Sequence, residues 1–126
     1  MYTPFNNKKT FTYSATVASG VTSTQTHTFS ERCLYYFIDM SGNQVNTRII
    51  HKLYKPTTGY SDQLTTDITY ANGVLTGGSY RPIGLFLASP TEIFQANSGN
   101  YLELGLDNSS GTTAVVSITV VEIAIE

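Results

Sequence analysis

The sequence predicts an all-β chain folded as one antiparallel β-sandwich domain spanning residues 1–126, with about eight strands wound as a jelly roll. Three observations carry this. β-Branched and aromatic residues fill segments of strand length, and Gly and Asn/Ser/Asp/Pro clusters separate them about every ten residues. No window holds a helical apolar period of useful length. At 126 residues the chain can bury a core without staples, and its one cysteine, Cys33, excludes an internal disulfide and any cysteine-based metal motif.

The first strand runs near Lys9 to Ser19, with Phe11, Tyr13, Ala15 and Val17 on one face. Ser19-Gly20 turns into a second strand, where Thr22, Thr24, Thr26 and Thr28 form an exposed stripe and Val21, His27 and Phe29 lie opposite. Cys33 to Met40 is apolar on both faces, as a central strand is. After the SGNQ turn, Val45, Thr47, Ile49, His51 and Leu53 face inward while Asn46, Arg48 and Lys52 face outward. Tyr54 to Asp62 reads as the longest irregular loop, and LTTDITY follows it. Asn72-Gly73 signals a hairpin, since both residues accept positive φ. Pro90 and Glu92 sit near the start of Ser89 to Ala96, the one candidate helix, at most about two turns long and capped by Ser89. The last elements are GLFLA, then YLELGLDN with Leu102, Leu104 and Leu106 inward, then the DNSSG turn and the closing strand.

Chemistry is sparse. With seven basic and nine acidic residues the net charge is −2, and the charged fraction of 13% is about half the usual share. The cations are scattered, which excludes an electrostatic nucleic-acid footprint. The start, MYTPFNNKKTF, lacks the apolar run of a signal peptide, and no segment approaches membrane-spanning length, so no membrane insertion and a cytoplasmic synthesis are expected. Cys33 with His27 or His51 forms no recognised nucleophile signature, and an apolar setting makes the thiol a small hydrophobe. His51 reads as a hydrogen-bonded core or interface residue. No calcium loop or phosphate-cradling glycine loop occurs, so no cofactor and no enzymatic role are expected. Tyr54, Tyr60, Tyr70 and Tyr80 lie in or beside turns, where they could form a platform for a sugar or protein partner, with Tyr54, Tyr60 and Tyr80 the candidate binding-loop residues.

The terminal AVVSITVVEIAIE is apolar on both faces. Val116, Ile118 and Val120 point one way, and Val115, Val121, Ile123 and Ile125 the other, with Val120-Val121 a candidate parity switch. A second subunit is the simplest cover for that second face, which makes Val121, Ile123 and Ile125 the expected interface.

The Thr/Ser/Asn-rich strands, the segment Tyr54 to Asp62 and the YLELGLDNSS hairpin leading into AVVSITVVEIAIE resemble a small single jelly-roll virion protein of a phage or virus. That resemblance spans the chain and implies a decoration, minor capsid, vertex or fibre-associated subunit located in the virion. It implies a homo-oligomer, a trimer favoured, contacting other virion proteins, and it carries over no functional residue. The alternative is a carbohydrate- or receptor-binding module that reads a cell-surface glycan through its turns.

Overall fold

The computed structural model describes residues 8–57, 60–73, 81–83 and 92–125. Its strands are β1 (Lys8–Val17), β2 (Val21–Thr28), β3 (Cys33–Gly42), β4 (Thr47–Thr57) and β5 (Tyr60–Gln63). They continue with β6 (Ile68–Asn72), β7 (Arg81–Pro82), β8 (Phe94–Ala96), β9 (Tyr101–Asn108) and β10 (Ala114–Ala124). No α-helix occurs among the described residues.

Early strands pair with late ones. β1 pairs β10, β2 pairs β9, β3 pairs β8 and β4 pairs β6, all antiparallel. A long hairpin folded over on itself produces this nesting, and the result is two sheets ordered β1-β10-β3-β8 and β2-β9-β4-β6-β7, with β5 added to β4. That order is the jelly roll. β7 departs from the antiparallel pattern by pairing parallel to β6.

Alternation then builds the core. Phe37, Ile118 and Val120 of one sheet meet Ile49, Leu102, Leu104 and Leu106 of the other in one cluster of buried side chains. Burying side chains of this size stabilises by about 1.5–3 kcal/mol each before entropy is counted. The parity change falls in β3, not at Val120-Val121. The β3–β10 register slips between Ser117 and Thr119, and Asp39, with φ 51°, is the extra residue there. Such a bulge returns Met40 to the core after Phe37.

Other expectations also change. The segment from Tyr54 to Asp62 is not an irregular loop: β4 continues to Thr57 and pairs with β5, Tyr54 with Gln63 and Thr57 with Tyr60. Pro56 is tolerated because β9 pairing ends at Tyr54, so the amide that proline lacks has no ladder to serve on that side. Val45 sits in the turn before β4 and is 62% exposed rather than inward. Asn72 stays in β6, its side-chain amide bonded to the carbonyls of Gly42 and Gln44, and of the Asn72-Gly73 pair only Gly73 has positive φ. The end of the candidate helix, Phe94 to Ala96, is strand β8, held by pairing to Cys33–Tyr35; its start and GLFLA lie outside the described residues.

Candidate functional site

Two unlike outer faces follow from the sheet order. On the β2-β9-β4 sheet the outward residues are Thr22, Thr24, Thr26 and Thr28 beside Glu103, Asp107, Arg48 and Lys52. Arg48 Nε donates to Asp107 Oδ2 at 2.8 Å, Thr22 donates to the other carboxylate oxygen at 2.5 Å, and Lys52 pairs with Asp67 at 3.8 Å. Water suits that face. On the other sheet the outward register brings Leu34 opposite Ile123, Tyr36 opposite Val121 and Ile38 opposite Thr119. This row is mostly apolar, with the hydroxyls of Tyr36 and Thr119 within it, and it is edged by Lys8, Thr10 and Thr12 of β1 on one side and by Gln95 of β8 on the other.

The expected interface residues all lie on this second face, to different depths. Val121 is fully enclosed within the chain at 0% exposure, so it needs no partner to cover it, while Ile123 and Ile125 remain half-buried. β10 lies between β1 and β3, which makes the closing strand central, not marginal. Of the tyrosines, Tyr54 is half-buried on the outer polar face and stacks on Tyr101, with ring centroids 5.2 Å apart at 13°. Tyr60 pairs with Thr57 through its backbone, Tyr70 is fully buried in the core and not part of a surface platform, and Tyr80 lies outside the described residues. The structure thus joins Tyr54 to a residue of β9, not to a loop cluster.

Between the sheets lie two imidazoles. His27 Nε2 stands 3.0 Å from Glu122 Oε2, and Tyr13 Oη 2.6 Å from His27 Nδ1, which ties β1, β2 and β10 together. One neutral tautomer satisfies the chain: Tyr13 donates to Nδ1, and Nε2–H donates to the carboxylate. Burial and then the Glu122 charge push the Tyr13 hydroxyl above its ordinary pKa, which keeps it a donor. His51 sits deeper. Its Nε2 meets Tyr35 Oη at 2.9 Å, its Nδ1 has no partner among the described residues, and Tyr35, Phe37 and Phe94 pack around the ring. Burial first, then the Arg81 charge, lowers its pKa from 6.5 to about 4.

Glu122 was legible only as one more carboxylate in the sequence. The signal that marks it is phase: it occupies the inward parity of Val116, Ile118 and Val120, where a charge needs a partner. Leu34, Tyr36 and Ile38 were legible as the second face of a central strand, without the identity of their neighbours.

Cys33 is buried, and burial, with Glu122 and Glu31 adding to it, pushes its thiol up to about 12. Since the thiolate is the nucleophile, Cys33 is inert near neutrality. Iodoacetamide should label native protein far more slowly than urea-unfolded protein, and Cys33→Ala should cost about 1 kcal/mol in urea melts. Rapid labelling of the native fold would contradict this. Among the described residues no three His, Cys, Asp or Glu side chains stand together to hold a metal ion.

Fold and surfaces together define a jelly-roll β-sandwich with one solvated outer face and one apolar one. Comparison with family models, with curated proteins and with solved structures finds no match.

Proposed function

We propose that this chain is a structural virion protein, a decoration or minor capsid subunit that acts by burying surface against copies of itself, a trimer favoured, and against other virion proteins. The observation that supports the reading is the apolar outer row Leu34, Tyr36, Ile38 and Ile123, half-buried in the single chain and flanking the sealed Val121. In a sandwich that works alone, both outer faces are solvated, as the opposite face is here. Aromatic and aliphatic side chains, with the charge of Lys8 at the edge, match the composition of an interface core and its rim. The jelly roll is shared by many virion proteins, and by lectins and enzymes, so the fold contributes analogy and the surface contributes the argument.

Native mass spectrometry tests it. The wild-type protein should run as an oligomer, and Ile123→Asp should give a monomer with the wild-type strand signature in far-ultraviolet circular dichroism. An ion placed in a desolvated seam costs several kcal/mol, enough to dissociate a trimer at micromolar concentration. A wild-type monomer at all accessible concentrations, or an Ile123→Asp oligomer as tight as wild type, would sink the reading.

A further inference from the structure

A cleft of about 510 Å³ opens where the end of β4 meets the turn between β8 and β9. Lys55 and Pro56 form one wall with Leu64, and Asn97, Ser98 and Asn100 form the other. A volume of this order suits a small ligand.

Its chemistry is selective. Lys55 makes no ion pair among the described residues, and no described residue lining the cleft is acidic. Asn100 is only 5% exposed, yet its side chain is half used. Its Oδ1 accepts from the Asn97 N–H at 2.9 Å, which fixes the amide so that Nδ2 is the free end. That nitrogen donates no hydrogen bond within the chain among the described residues. Asn100 is one of the residues that line the cleft. Ser98 Oγ donates to the Ser30 carbonyl at 3.0 Å, which leaves its lone pairs to accept. Gly99, with φ +86°, has nothing within 4 Å of the position a Cβ would take, so a ligand can approach the backbone. Leu64, 48% exposed, and Pro56 supply an apolar wall for the C–H face of a ring.

An unpaired cation and a buried amide donor call for a carboxylate; a free hydroxyl acceptor and an apolar wall call for a ring bearing hydroxyls. We propose that this cleft binds the carboxylate-bearing sugar of an acidic glycan. Lys55 supplies the charge, Asn100 Nδ2 the directed bond, and Leu64 with Pro56 the packing.

Two-dimensional amide NMR tests it with D-glucuronate and N-acetylneuraminate as probes and D-glucose as the neutral control. The acidic sugars should shift the 97–100 amides, including the Asn100 side chain, with dissociation constants on the order of 1 mM. Glucose should bind at least about tenfold more weakly, for want of the ionic contact. Lys55→Gln should weaken the acidic sugars about tenfold, and Asn100→Asp should abolish their binding, because it keeps the acceptor for Asn97 N–H and replaces the donor with a repelling oxygen. Unchanged melting temperatures would assign both losses to the cleft. Glucose binding as tightly as glucuronate, no shift at about 10 mM, or a Lys55→Gln variant that binds like wild type would overturn the proposal. The assembly reading stands or falls separately, since Ile123→Asp should leave these titrations intact.

Discussion

Glu122→Ala should destabilise the fold by about 2–4 kcal/mol, read as a lowered urea midpoint at unchanged slope. The carboxylate is buried with His27 between the sheets, where Nε2 has Oε2 as its partner at 3.0 Å. Truncation leaves that nitrogen without a bond, in a ring already enclosed by Phe11 and Phe29 at 4.6 and 4.8 Å, and opens a gap where the carboxylate was. The pair itself is not the source of the stability, because desolvating a carboxylate costs about what its bonds return. The double variant His27→Leu with Glu122→Leu should therefore recover most of the loss. A Glu122→Ala variant within about 0.5 kcal/mol of wild type would show that the network is dispensable. A double variant no better than the single would show that the buried hydrogen-bonded pair is net favourable.

Acid should weaken the protein through His51. Its folded pKa, about 4, lies below the 6.5 of the free side chain. Between those values the unfolded chain binds the proton and the folded chain does not. Stability is therefore complete above the unfolded pKa, falls as pH drops from about 6.5 to about 4, and levels off below, a loss of roughly 3 kcal/mol. The physical cause is that an imidazolium needs two acceptors, and His51 Nδ1, in an aromatic enclosure, has no partner among the described residues. Urea melts at pH 7.5 and 4.5, on wild type and on His51→Gln, isolate the effect. The glutamine variant should show a smaller pH dependence by about that amount; equal dependence in both would assign acid sensitivity to the carboxylates instead.

Local chemistry made much of this protein legible. Period-two alternation marked Leu102, Leu104 and Leu106 as inward, and the structure buries all three completely. It likewise marked Thr22 to Thr28 as an exposed stripe and His51 as a hydrogen-bonded core residue. Those assignments depend on neighbours within one strand, and a strand carries its own phase. Partners across the sheets were not legible. The sequence holds Tyr13, His27 and Glu122 as unrelated residues, 95 positions separating the last two, and only the nesting of β1, β2 and β10 makes them one network. The bulge at Asp39 was misplaced to β10 for the same reason, since a bulge is a mismatch between two strands and no single strand records it. Composition and the local order of residues determined an all-β chain with two-faced apolar strands. Tertiary structure decided that β10 is central, that Val121 is sealed while Ile123 is not, and that Asn100 opens on a cleft, because burial and free hydrogen-bonding capacity are properties of what packs alongside.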